Sequence, residues 1–400
     1  MTSPNWRSPA VVLLCGGLIL TLAMGMRHGF GLFLQPMTSA HGWSRETFAF
    51  AMALQNLVWG LAQPFTGMLA DKFGAGKVLL VGAALYVAGL LVMALAANGT
   101  VFGWGSGILI GLGLSGTTFS VVYGVIGRAF PPEKRSMALG ITGAAGSFGQ
   151  FAMIPVTQSM LGSFGWMQAL LVLAIGALMI APLSRALVEQ REAPSGVKHQ
   201  SIGEAVREAF GHRSFILLTL GYFVCGFQVV FIGVHFPSYL IDKGLTARDG
   251  VISLALIGLF NVFGTYTAGY LGGFVSKKYL LSANYLSRSI IILIFLWLPI
   301  SQVTVYGFAM LMGLLWLSTV PLTNGLVAQI FGVKHMSMLS GFVFLSHQIG
   351  SFLGVWAGGF LYDKTGSYNI VWGIAIALGV FAMLVNLPID EREVQRLQPA

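Results

Sequence analysis

Long apolar stretches dominate this chain, each closed by a short knot of charge, glycine or proline. Crossing hydrocarbon takes about 20 residues of helix at a rise of about 1.5 Å each. Twelve stretches reach that length: 11–36, 44–70, 78–97, 101–127, 137–162, 166–187, 215–240, 250–274, 281–300, 304–330, 336–361 and 370–387. The pattern predicts twelve transmembrane helices, an all-α membrane protein. The first stretch is too long for a secretory leader, lacks a small-residue cleavage site and is followed by further spans, so it reads as the first helix.

A second pattern lies over the first. At an offset of 201 to 202 residues, Gly42, Leu54, Gly67 and Leu69 correspond to Gly244, Leu256, Gly269 and Leu271. Met137, Gly140 and Gly149 correspond in the same way to Met338, Gly341 and Gly350. Six helices are duplicated, which predicts two pseudo-symmetric six-helix bundles, 1–187 and 214–400, as repeat-built membrane folds often have. The connection 188–213 is the one long polar segment between them, with a Pro194-Ser195-Gly196 break and a surface helix from Ser201.

Composition changes this picture little: 56% of residues are apolar and 9% charged, which excludes a soluble domain and a disordered chain. The net charge of +9 does not signal a nucleic-acid partner, because the basic residues lie in short loops, where they orient spans in a bilayer. With the amino terminus inside, Arg45, Lys243, Arg248 and Lys364 fall outside, Arg27 falls within the first span, and the other 17 of 22 basic residues count as cytoplasmic. Both termini are then cytoplasmic, and the expected setting is a bacterial inner membrane. Cys15 and Cys225 sit in apolar runs and make neither a disulfide framework nor a metal site.

Arg27 carries the most information. A guanidinium stays protonated, and a charge near mid-bilayer costs at least about 2.5–3.5 kcal/mol on insertion scales. All 13 acidic residues lie in loops or the tail, so no membrane carboxylate neutralises it and an anionic substrate would. The other reading is that Arg27 snorkels outward or bonds carbonyls and water. His28, His235 and His347 also lie in spans and are the candidate proton carriers. A bound anion favours a protonated imidazole, which couples the two loads, whereas each histidine could equally serve as polar glue between helices. Gln55, Asn56, Gln150, Gln228, Asn261, Trp316, Asn324 and Gln348 are the remaining polar or amphipathic candidates near span centres. Gly140, Gly143, Gly146 and Gly149 form a stripe for close helix packing, sliding or static.

The turn after the second span reads GMLADKFGAGK, placing Gly67, Asp71, Lys72, Gly74 and Lys77 in the pattern G-x-x-x-D-K-x-G-x-x-K. With this motif in this place, the whole chain resembles the major facilitator superfamily. The resemblance implies that Asp71 is a cytoplasmic latch between the halves, with Arg128 its partner, released as the carrier turns inward. An ordinary loop charge is the plainer reading. Ala75 and Gly76 stand where the family has a basic pair, and Gly273 where the second-half copy would have Asp. The family's first, fourth, seventh and tenth helices line a central cavity, which adds weight to Arg27, Tyr123, Gln228, Trp316 and Asn324. Asn261, His347 and these five make up the expected substrate site.

Glu133–Ala145, EKRSMALGITGAA, and Gly358–Tyr368, GGFLYDKTGSY, resemble the monocarboxylate carriers and the oxalate and formate exchangers. Those carriers place an arginine in the eighth helix, where this chain has Asn261 and Tyr266 as polar choices, and their acidic first-helix signature is replaced by MGMRHGF. The resemblance implies a monomeric secondary carrier moving a small organic anion, a monocarboxylate, with a proton by alternating access. Two other readings stand beside it: a drug/proton antiporter, and a non-transporting receptor or scaffold on the same fold. Gly111–Gly116 matches G-x-G-x-x-G, yet it lies in an apolar helix with no strand before it, so no dinucleotide site is expected. No cofactor, metal site, ATP-binding loop or nucleophile elbow is expected either, and so no enzyme.

Overall fold

The computed structural model describes residues 8–43, 45–188 and 200–395, so the expected break at 194–196 lies outside the described residues. Among the described residues, ten segments are long and apolar enough to cross a membrane. One of them, Pro132–Leu187, holds two spans, because at Gly165 the backbone takes φ +79° and the fifth helix gives way to the sixth. Arg45–Phe73 carries charge near both ends and adds the second span. The twelve are Pro9–His41, Arg45–Phe73, Ala75–Ala94, Gly99–Ala129, 132–164, 166–187, Arg213–Asp242, Ala247–Leu271, Lys277–Trp297, Gln302–Phe331, Met336–Thr365 and Asn369–Asn386.

Local chemistry sets the ends. Ser8 accepts from the Val11 N–H and Pro9 follows it, so the first span starts where an orphan donor is satisfied and a missing one costs nothing. Ser201 and Glu204 cap each other's backbone at the start of the connector helix, Ile202–Gly211, which buries Ala205 and Ala209. The tenth span is broken. Pro321 has no N–H and its ring crowds the carbonyl four residues back, so Gln302–Leu315 stops and Thr319–Phe331 begins.

The halves meet chiefly through two pairs of spans, the second with the eleventh and the fifth with the eighth. At both, the backbones approach too closely for a side chain. A β-carbon on Gly67 would collide with the Ser337 carbonyl, and one on Gly269 with the Cα of Gly140. The sequence repeat pairs Gly67 with Gly269 and Gly140 with Gly341, so each contact is the image of the other. The glycine stripe of the fifth span begins against the eighth and ends at Gly149 against the Thr21 backbone of the first. These interhalf contacts lie toward the end of the bundle that carries the connector helix, the carboxyl segment and the Asp71 turn, the linker side, and that side is shut.

Gly67→Val is expected to force the second and eleventh spans apart. In a background with Cys15 and Cys225 replaced, a cysteine introduced by Ser340→Cys should then react faster with a maleimide. An unchanged labelling rate would show that the close approach does not hold this side closed.

Candidate functional site

Asp71 ends the second span and is almost wholly buried, its side chain 2% exposed. Its carboxylate pairs with Arg128 of the fourth span at 2.9 Å and accepts from the N–H groups of Ser337 (3.3 Å) and Met338 (2.8 Å), in the first turn of the eleventh. Arg128 also donates to the Val333 carbonyl at 3.0 Å. A first-half carboxylate therefore sits on a second-half helix N-terminus, an arrangement favoured by about 0.3–1 kcal/mol when exposed and up to about 2 kcal/mol when partly buried. Gly74, at φ +96°, turns the chain into the third span. Lys72, over the Phe73 ring, and Lys77 are exposed and take no part in this contact.

Arg27 is half-buried in the first span. Its Nη2 donates to the Asn56 side-chain oxygen, its guanidinium lies 4.9 Å from the Trp59 ring centre, and its Nε has no partner. No carboxylate among the described residues contacts it. Asn56 is held by its own bond to Met52 and by Gln348, which donates to the Asn56 carbonyl across the halves at 2.9 Å. From Trp59 an aromatic chain runs into the second half, through Phe344 (4.8 Å), His347 (5.5 Å) and Tyr222 (5.0 Å).

A second intramembrane cation corrects the charge count. Arg288 is among the 17 residues assigned to the cytoplasm, yet it lies within the ninth span and is fully buried. Eleven residues beyond Lys277, it is about 16 Å along the helix, too far to reach the surface. Its Nη2 donates to the carbonyls of Leu315 (2.6 Å) and Trp316 (2.5 Å), the groups freed by the break in the tenth span. Its Nη1 reaches Gln228 (3.4 Å) and the Cys225 sulfur (3.6 Å), and Tyr285 lies beneath the guanidinium at 5.5 Å. Asn261 serves the other side of the break, its oxygen accepting from the Leu317 N–H and the Thr265 hydroxyl at 3.0 Å each. Cys225 also meets the Thr319 hydroxyl at 3.3 Å, so side chains of the seventh, eighth and ninth spans hold the tenth in its broken form.

The other candidates divide. Tyr123 is buried with its hydroxyl unpartnered beside Gly143. His347 shares Nδ1 between Gln348 (3.2 Å) and Ser351 (3.4 Å). His235 uses both ring nitrogens to tie the eleventh and twelfth spans, through the Val355 carbonyl (2.9 Å) and the Tyr368 hydroxyl (3.3 Å). His28 is exposed, with Nδ1 on the Met24 carbonyl at 2.8 Å. Asn324 bonds only the Val320 carbonyl, one residue from Gly325, where Lys277 lies, and so stands apart from the arginine clusters. Cys225, Thr319 and Trp59 enter the site without having been predicted. Arg288 had a signal, since a charge interrupts the ninth apolar run, whereas Cys225 and Thr319 had none.

Comparison with known proteins gives a consistent result. A model described as the Major Facilitator Superfamily matches residues 13–354. The uncharacterized MFS-type transporter YcxA of Bacillus subtilis (strain 168) is 28% identical over 393 residues, covering 93% of each chain. Monocarboxylate transporter 11 of Homo sapiens is 25% identical over 388 residues, 92% of this chain and 80% of that one. The hexuronate transporter of Bacillus subtilis (strain 168) is 23% identical over 365 residues, covering 85% and 83%. Among solved structures, a single-residue variant of the E. coli fucose:proton symporter FucP superposes with TM-score 0.73 at 17% identity over 94% and 97% of the two chains. The proton:xylose symporter XylE gives 0.75 at 15% identity over 95% of each.

Proposed function

The chain belongs to the major facilitator superfamily, and we propose that it is a secondary active carrier that moves a small organic anion, a monocarboxylate, together with a proton. A membrane transporter of this family is not an enzyme. The halves 1–187 and 214–400, joined by 188–213, alternate access to a central site, and the Asp71–Arg128 latch holds the linker side, which faces the cytoplasm, shut.

The observation that carries this reading is Arg27: a half-buried cation inside a span, with a free Nε and no acidic neighbour among the described residues. The substrate carboxylate completes its coordination beside Asn56 and Trp59. Similarity to the monocarboxylate transporters supports the substrate class, and a hexuronate also bears a carboxylate. Arg288 positions rather than binds, since its guanidinium is fully buried among helix carbonyls. His347 carries the proton: it stands at the end of the aromatic chain that begins under Arg27, whereas His235 is occupied at both nitrogens.

Uptake into proteoliposomes tests the reading. Small monocarboxylates should accumulate when the lumen is more alkaline than the medium, while neutral sugars and cationic amphiphiles should not. Transport of the cationic compounds instead would make the protein a drug/proton antiporter, and no transport of any kind would favour a scaffold. His347→Ala should flatten the pH dependence of uptake while leaving counterflow of the anion measurable. An unaltered pH profile would pass the proton role to His28 or to the substrate itself.

A further inference from the structure

Four groups of the first-half latch have counterparts in the repeat: Asp71 corresponds to Gly273, Arg128 to Gln329, Ser337 to Ser136 and Met338 to Met137. The second set has the same helix N-terminus and no carboxylate at the Gly273 position, although Glu133 lies in the first turn of that helix. A cavity of about 790 Å³ opens beside the counterparts Ser136 and Gln329 on the linker side, lined also by Arg135, Lys277 and Lys278. Ser136 is 3% exposed and its hydroxyl has no hydrogen-bond partner. That hydroxyl lies against Gly272, the residue before Gly273, where a β-carbon would come within 2.5 Å of it. Cations come from both halves, Arg135 from the first, with its Nε on the Gly127 carbonyl (2.8 Å) and Nη2 on that of Phe130 (3.5 Å), and the two lysines from the second. Lys277 spends one donor on Gln329 at 2.7 Å, which leaves two of its ammonium hydrogens.

The acidic carboxyl segment runs along the same cavity, but two of its carboxylates are already committed. Glu391 accepts from the Ser276 hydroxyl (2.8 Å) and the Lys278 N–H (2.6 Å), capping the ninth span. Asp390 pairs with Arg392 at 2.7 Å. Glu393 lines the cavity as well and is an internal competitor.

We propose that this cavity binds the phosphate group of an external anion where the first half has the Asp71 carboxylate, with Arg135, Ser136 and Lys277 as donors. The anion, inorganic phosphate or an anionic lipid headgroup, bridges the fifth span to the ninth and tenth and so adds a second latch to the shut side. This inference stands on the repeat and the cavity, and is independent of what the central site carries.

Calorimetric titration of the purified full-length protein with inorganic phosphate, and separately with dihexanoyl phosphatidylglycerol, tests it, with dihexanoyl glycerol as the uncharged control. Gly273→Asp supplies the missing carboxylate internally, and Arg135→Gln removes a donor. Each should weaken binding by about tenfold or more. Phosphate binding lost in both variants identifies a soluble source; binding of the phospholipid alone, lost in both, identifies a headgroup. Absence of saturable binding of either probe to the wild type, or equal binding by both variants, overturns the proposal. If Gly273→Asp does not yield monodisperse protein, Arg135→Gln decides alone.

Discussion

Arg27→Gln should reduce monocarboxylate uptake to background while leaving a folded, inserted protein. Glutamine ends about where the Arg27 Nε stands, so it gives up the guanidinium's contacts with Asn56 and Trp59 but keeps the aliphatic stem, and packing in the first span changes little. What disappears is the charge, and removing one partner of a desolvated, hydrogen-bonded charge pair costs about 2–5 kcal/mol, which lowers uptake by about a hundredfold. Folding does not suffer in parallel, because a charge inside hydrocarbon costs at least about 2.5–3.5 kcal/mol and glutamine is relieved of it. The expected signature is therefore lost transport with an equal or higher melting temperature. Arg27→Lys should retain part of the activity, since an ammonium keeps the charge but not the planar fork. Uptake at the wild-type rate by Arg27→Gln would remove the basis for an anionic substrate, although the fold would stand.

The spans were legible because hydrocarbon leaves the backbone few options and each helix must be apolar for its whole length. Arg27 was legible for the same reason, as a charge deep inside an unbroken run. Arg288 carried the same signal within the ninth run, but the pair Lys277 and Lys278 stands just before that run and a count by loop absorbs a third cation into the same cluster. Only the depth along the helix separates it. The Asp71 motif named its residues but not their partners: Ser337 and Met338 lie some 266 positions away and contribute N–H groups that no side-chain pattern marks. The break in the tenth span had a local cause in Pro321, yet what stabilises it comes from three other spans. Histidines read alike in sequence, and hydrogen bonding alone tells His235, with both ring nitrogens engaged, from His347, whose two neighbours share Nδ1.

Arg288→Met should separate transport from stability in the opposite corner of the site. The substitution removes two bonds from Nη2, which leaves the Trp316 carbonyl open at about 1–3 kcal/mol and the Leu315 carbonyl with only the longer bond from Asn284 at 3.3 Å. It also removes a buried charge with no acidic partner, which offsets a cost of similar size. The unfolding midpoint is accordingly expected to move little, and methionine fills the space among Tyr285, Gln228 and Cys225. Transport should nevertheless fall by about tenfold or more, as KM rises and the turnover rate drops together, because the broken tenth span loses the clamp that sets Thr319 against Cys225 of the seventh. Arg288→Lys should restore part of the activity, since both carbonyls are served by one nitrogen and an ammonium can reach two acceptors. A large loss of stability with normal transport in the surviving protein would mean that Arg288 is kept for folding alone. Normal stability with normal transport would mean that the break in the tenth span needs no clamp.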